Sequence, residues 1–179
     1  MSIKFSNKPG SVFWITGLAG SGKTSVGLEY FKFLKKNQSN TVFIDGDILR
    51  EVLDQQGGIS MNERKKLSIN YSKLCRMLSE QGINVVCCTI SMFDSVREWN
   101  RKNINDYHEI YLKVPVEVLH QRDKKGLYSG AMRGEIKNVV GVDIGFEEPK
   151  APNLIINNRG DMSIEDILNC MKKYFTGVN

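Results

Sequence analysis

The residues with the plainest chemical purpose stand near the N-terminus: Gly17-Leu18-Ala19-Gly20-Ser21-Gly22-Lys23-Thr24, followed by Ser25. They satisfy the spacing Gly-x-x-x-x-Gly-Lys-[Ser/Thr] at every fixed position. Glycines there let the backbone wrap closely around a phosphate with its N–H groups turned inward. A helix starting at the end of the run adds its positive N-terminus. Lys23 is then placed to neutralise β- and γ-phosphates, and the Thr24 hydroxyl to ligate Mg²⁺. The run predicts a site for a nucleoside triphosphate.

A second group follows at Asp45-Gly46-Asp47. If the strand that ends there adjoins the strand before the glycine loop, two carboxylates face the γ-phosphate. One would hold Mg²⁺ or its water, and the other would orient an attacking hydroxyl. The same residues also read as a strand-ending turn in which Asp47 caps the next helix. Arg50, one helical turn on, is placed to meet a substrate phosphate or sulfate. Isolated arginines such as Arg50, Arg64, Arg97 and Arg122 equally suit a solvated surface, as does the pair Lys124-Lys125. His108 and His120 have no partner motif and read as structural.

The elements that must position these groups alternate along the chain. Val12–Thr16 is a β-rich run, and Ser25–Lys36 carries Val26, Tyr30, Phe33 and Leu34 at helical spacing. Thr41–Ile44 reads as a second strand and Ile48–Gln55 as a short helix stopped by Gly57-Gly58. Ser60-x-x-Glu63 reads as a capping box for a helix to about Gln81, with Leu67, Tyr71, Leu74 and Leu78 on one stripe. Ile83–Ile90 is the most continuous apolar run and predicts a central strand buried on both faces. A helix from Phe93 to about Asn103, a strand His108–Val114 and a helix Val116–Gln121 started by Pro115 come next. Leu154–Ile156 is a fifth strand. Ser163 caps a last helix to about Tyr174, with Ile164, Ile167, Leu168 and Met171 facing the core.

Between Asp123 and Asn153 the periodicity fails. Five glycines and two prolines interleave with Leu127, Tyr128, Met132, Val139, Val140 and Phe146. A stretch that long without regular structure is commonly functional, and its apolar residues argue against disorder. The expectation is a substrate-covering lid over about residues 123–152.

Alternating strands and helices imply an α/β fold: a parallel five-stranded sheet with helices on both faces, in three layers. Ligands should lie beyond the carboxyl ends of the strands, where the glycine loop, Asp45 to Asp47 and Ser91 all fall.

At 179 residues the expectation is one domain, and 41% apolar with 25% charged residues suits a soluble globular protein. No apolar run approaches the ~20 residues of a membrane span, and the N-terminus lacks a signal-peptide core, so the cytoplasm is expected. Four cysteines (Cys75, Cys87, Cys88, Cys170) show no metal-binding spacing, and Cys87-Cys88 should be buried thiols. A net charge of +5 is dispersed, without aromatic–basic stripes. A basic phosphate-binding cleft explains it without nucleic acid.

Taken together, the glycine loop, Asp45-Gly46-Asp47-x-x-Arg50, Ile90-Ser91, Arg122-Asp123-x-Lys125-Gly126-Leu127-Tyr128 and Gly141-x-Asp143 resemble the adenylylsulfate kinase family from about Val12 to Asn158. The resemblance implies a P-loop kinase that uses Mg·ATP to phosphorylate the 3′-hydroxyl of adenosine 5′-phosphosulfate. It implies metal and 3′-hydroxyl roles for Asp45 and Asp47, and substrate contact by Asp47, Arg50, Arg64, Ile90, Ser91, Lys125, Leu127 and Val139. ATP contact falls to residues 17–25 and Arg122, Mg²⁺ to Thr24 and Asp45, and catalysis to Lys23, Asp45, Asp47 and Ser91. Ser91 also matches a serine described as phosphorylated in the family. A homodimer is the implied assembly.

The chain departs from that pattern where the acceptor's base is read. Ser91-Met92-Phe93 replaces the family's Ser-Pro-Tyr/Phe, and Leu67 stands where an asparagine is usual. Ile59 and Val139 occupy the places of two phenylalanines that sandwich adenine, removing stacking typically worth ~1–3 kcal/mol per base. This variation resembles a branch of the family, associated with capsule modification, that phosphorylates cytidine diphosphoramidate. That acceptor is the alternative expectation.

Overall fold

The computed structural model describes residues 8–54 and 60–177. Gln55, the Gly57-Gly58 stop and Ile59 lie outside them. Five strands, β1 (Val12–Thr16), β2 (Thr41–Asp45), β3 (Asn84–Cys88), β4 (Tyr107–Lys113) and β5 (Leu154–Asn157), form one all-parallel sheet in the order β2-β3-β1-β4-β5. The second strand therefore adjoins the third, not the first, which corrects the adjacency on which the two-carboxylate expectation was built.

Every residue of β1 and β3 is buried, which is why these strands read as unbroken apolar runs. Their side chains alternate between two cores. Phe13, Ile15, Val86 and Cys88 pack with Val26, Tyr30 and Leu34 of α1 (Lys23–Asn37) and with Ile167 and Met171 of α7 (Ile164–Thr176). Val12, Trp14, Val85 and Cys87 pack with Leu67, Tyr71 and Cys75 of α3 (Met61–Glu80) and Val96 of α4 (Asp94–Asn103). The α1 helix lies very close to the sheet: a Cβ on Gly27 would stand 2.1 Å from Cys88 Sγ. Only glycine permits that approach.

Helix starts follow the caps. Ser60 and Glu63 form the reciprocal capping box, the Glu63 carboxylate accepting the Ser60 N–H at 2.7 Å. Ser163 and Asp166 repeat it at α7. Ile164, expected in the core, is instead 45% exposed, while Met162 just before the helix packs against the core. Helix α2 (Gly46–Val52) begins earlier than expected because Asp45 is its cap, accepting the Asp47 N–H at 2.8 Å. Pro115 starts α5 (Val116–Arg122) as expected.

The stretch after Asp123 is more ordered than its lost periodicity suggests. It holds a 3₁₀ turn (Lys124–Gly126) and a short helix α6 (Leu127–Met132). Asp123 caps α6 from beyond its N-cap residue Gly126, its carboxylate accepting the Tyr128 and Ser129 N–H groups at 2.8 and 3.1 Å. Six residues are too few for a 3.6-residue repeat to show. Further on, Asp143 accepts the backbone N–H groups of Asn138 and Val139 and closes a compact turn.

Residues 147–153 form a strap. Arg97 and Arg101 donate to the Glu147 and Ala151 carbonyls at 2.8 and 3.2 Å, Lys150 pairs with Asp94 at 2.8 Å, and Lys113 with Glu148 at 2.9 Å. Beneath the strap Glu109, 0% exposed, pairs with Arg101 and lies 3.6 Å from the Nε of Arg97, itself 1% exposed. Among the described residues no helix is long and apolar enough to cross a membrane.

Candidate active site

A cavity of about 710 Å³ opens beyond the carboxyl ends of the strands. One wall is the glycine loop. Gly22, the residue before α1, has φ 96°, and a Cβ there would meet no atom within 4 Å. Its backbone conformation, not crowding, calls for glycine. Lys23 Nζ reaches back to the Leu18 carbonyl at 2.8 Å, so the ammonium already lies within the loop it is expected to serve.

At the start of α1 the Thr24 hydroxyl donates to Asp45 Oδ2 at 2.7 Å. A hydroxyl and a carboxylate at that separation, beside a phosphate loop, are hard oxygen donors of the kind Mg²⁺ takes when phosphates complete its shell. Among the described residues no group of three or more His, Cys, Asp or Glu side chains gathers to hold a metal unaided. A metal here would draw the remaining ligands from substrate and water.

Two residues on from Asp45, Asp47 exposes 82% of its side chain and pairs with Arg50. Arg64 donates to the Asn138 carbonyl at 2.9 Å, which ties α3 to the turn that Asp143 closes. Burial, then the nearby Arg50 charge, lower the Arg64 pKa, with Asp143 opposing. Two cations converging on one cavity are a standing invitation to an anion.

Ser91 is held in the left-handed region (φ 26°) and is 6% exposed. Its hydroxyl donates to Ser68 Oγ at 2.8 Å, and Ser68 donates to the Arg64 carbonyl at 2.8 Å. With its one proton so used, Ser91 accepts from Thr89 Oγ1 at 2.7 Å. The serine is the middle of a hydroxyl relay, and a phosphoryl group on it would remove the proton it donates to Ser68.

Most expected residues thus come together: Ala19, Gly20, Gly22 to Ser25, Asp45, Asp47, Arg50, Arg64, Ile90, Ser91, Lys125, Leu127 and Val139 all line the cavity. Gly17, Leu18 and Ser21 do not. Leu18 is buried in a third apolar cluster with Met92, Leu119, Tyr128 and Val139, so it supports the loop from behind. Arg122 also lies outside the cavity, in a groove with Gln121, Arg159, Gly160 and Asp161, where it donates to the Gly20 carbonyl at 3.2 Å. Val139 is 5% exposed, so it belongs as much to this cluster as to the cavity.

Sequence reasoning missed several lining residues. Tyr71, read only as part of a core stripe, lines the cavity and donates to the Gly46 carbonyl at 3.2 Å. Ser68 and Thr89 carry no motif, and only the register of α3 against β3 reveals their relay. Tyr128 reaches the glycine loop itself, donating to the Ala19 carbonyl at 2.8 Å.

A parallel sheet of this order, with a phosphate loop after its first strand and a carboxylate paired to the loop threonine, defines a P-loop kinase fold. The family model for adenylylsulphate kinase matches residues 9–157, and the chain belongs to that family. A cytidine diphosphoramidate kinase of Campylobacter jejuni is 43% identical over 160 residues, covering 87% of this chain and 90% of the relative. A probable adenylyl-sulfate kinase of Archaeoglobus fulgidus is 38% identical over 146 residues, covering 82% and 94%. Among solved structures, the Mycobacterium tuberculosis APS kinase in complex with AMPPNP and APS superposes with a TM-score of 0.84 at 31% identity, covering 94% of this chain and 98% of that one. These relatives are phosphotransferases, and this chain is a nucleotide kinase of their kind.

Proposed function

We propose that the chain transfers the γ-phosphoryl group of Mg·ATP to the ribose 3′-hydroxyl of a small nucleotide acceptor. The observation that carries this is the shared cavity, lined together by the loop lysine, the Thr24–Asp45 pair, Asp47, Arg50, Arg64 and Ser91. Lys23 and the loop amides hold the donor phosphates. Thr24 and Asp45 would hold Mg²⁺, which supplies positive charge to the transferring group. Asp47 accepts the 3′-hydroxyl proton as the new O–P bond forms in line with the breaking bond to ADP. Arg50 and Arg64 hold the acceptor's anionic 5′ group. The nucleoside end of ATP lies in the groove beside Arg122 and Gly160, next to the outer edge of the loop. The lid segment around Lys125 keeps water from the transfer.

For the acceptor, the base-reading side favours cytidine diphosphoramidate. Val139 and Leu67 give that side aliphatic walls, and the relative bearing that name shares more of this sequence than the adenylyl-sulfate kinase described above. Adenylylsulfate is the second reading, favoured by the family as a whole. A capsule pathway goes with the first acceptor and sulfate assimilation with the second. A cytoplasmic homodimer is the assembly we infer from the family resemblance, and sizing chromatography with light scattering tests it.

The deciding experiment measures ADP release with Mg·ATP and each acceptor side by side. Turnover with the cytidine compound alone is expected. Turnover with adenylylsulfate alone would assign the aliphatic walls to a working purine slot, and failure of both acceptors would overturn the proposed acceptor class.

A further inference from the structure

The glycine loop is held by side chains of other elements as well as built to hold a ligand. Tyr128 Oη donates to the Ala19 carbonyl at 2.8 Å and Arg122 Nη1 to the Gly20 carbonyl at 3.2 Å. Arg122 ends α5 and Tyr128 belongs to α6 just beyond it, and Tyr128 is 1% exposed. Its backbone N–H is fixed by the Asp123 carboxylate that caps α6, so the ring enters the loop from a braced position. Burial pushes the phenol pKa up to about 12, which keeps the hydroxyl a donor at neutral pH.

In a trans peptide the carbonyl and the following N–H point in opposite directions. Holding the Ala19 oxygen at Tyr128 therefore fixes the Gly20 N–H on the opposite side of that peptide. The next peptide behaves this way in the structure. With the Gly20 oxygen held by Arg122, the Ser21 N–H points into the loop and meets the Leu18 carbonyl at 3.2 Å.

We propose that Tyr128 is a positioning residue for the donor nucleotide: its hydroxyl presets the Ala19–Gly20 peptide so that an amide faces the phosphates before they arrive. A preset donor binds without the cost of turning a peptide at the moment of binding. The proposal rests on the reading that the loop takes Mg·ATP.

Tyr128→Phe removes the hydroxyl and keeps the ring that packs against Leu119 and His120. Equilibrium titration with Mg·ATP, without acceptor, is the test, joined by KM values for both substrates. The expected result is an affinity for Mg·ATP weakened about five- to tenfold, the scale of one lost net hydrogen bond. The acceptor KM should stay within about twofold, because uniform binding is lost only on the donor side. Asp123→Ala, which uncaps α6, should give the same donor-selective pattern. Unchanged Mg·ATP affinity in a folded Tyr128→Phe protein, or an equal rise in both KM values, would overturn the proposal and leave the kinase reading standing. A wild-type protein that binds no Mg·ATP would overturn both.

Discussion

The Thr24 hydroxyl and the Asp45 carboxylate meet at 2.7 Å although the strands that precede them are not neighbours. β3 lies between. The contact is made because α1 starts beyond the sheet and crosses toward β2, pressed so close at Gly27 that a Cβ there would lie 3.3 Å from the Phe43 ring as well as overlapping Cys88. Residues far apart in the sheet are brought together by a helix without side-chain bulk at one point.

That pair makes the first prediction. Asp45→Asn keeps an oxygen to cap the Asp47 N–H, so α2 should persist, but the negative charge is gone. Half-maximal activity should need about 10- to 100-fold more Mg²⁺, the usual cost of disturbing a ligand set. An unchanged Mg²⁺ titration would remove Asp45 from the metal site.

Asp47 has a different task and should fail differently. Asp47→Asn is expected to lower kcat by about 10²–10⁴-fold, the range for losing a general base, with the ATP KM nearly unchanged. Wild-type kcat in this variant would pass the role of proton acceptor to another group.

Ser91 sits in a hydroxyl relay with Thr89 and Ser68 at the cavity wall. Ser91→Ala should therefore keep turnover within about tenfold of wild type, the loss coming from a loosened Thr89–Ser68 bridge. Turnover that disappears, together with a labelled phosphoprotein after incubation with γ-³²P-ATP, would establish a phosphoserine intermediate and reverse this expectation.

The strap predicts acid sensitivity. Lys150 and then Arg97 hold the Asp94 carboxyl below its ordinary range, and Lys113 does the same for Glu148. A folded pKa below the unfolded value gives stability that is present above about pH 4 and lost as pH falls through the folded value. Buried Glu109 has the opposite sign: burial raises its pKa, against Arg101 and Arg97, so its contribution declines as pH rises. Melting temperature should thus drop below about pH 4, and Asp94→Asn should flatten that acid limb. Glu109→Ala, which removes the buried carboxylate shared by Arg97 and Arg101, should cost about 3 kcal/mol at neutral pH. An acid limb identical in Asp94→Asn would detach the strap from it.

What could be read in the sequence follows from the range of the forces involved. The five strands and the main helices were legible because their burial is local and periodic: β1 was bounded to the residue, and Ser60 and Ser163 marked helix starts through caps a few residues long. The phosphate loop was legible because its backbone demands specific residue types. Strand order was not, since nothing in β2 records which neighbour it takes. Asp45 rather than Asp47 as the cap turned on a two-residue geometry that either aspartate satisfies in sequence. The 123–153 stretch escaped because its order comes from single long-range bonds, Arg64 to Asn138 or Tyr128 to Ala19, that leave no periodic trace.

The strap and the α6 cap have one further consequence. The lid segment is pinned at both ends, upstream to the glycine loop by Tyr128 and downstream to α4 and β4 by residues 147–153. A flap free at one tip can swing through any arc, whereas a segment fixed at two pivots moves like a bucket handle, along one path. Lys137 and Asn138 already line the cavity, and any further travel of residues 133–146 along that arc would have to break the bond from Arg64 to the Asn138 carbonyl. Opening and closing would then be a motion of one coordinate, with little chain entropy to gather at each turnover.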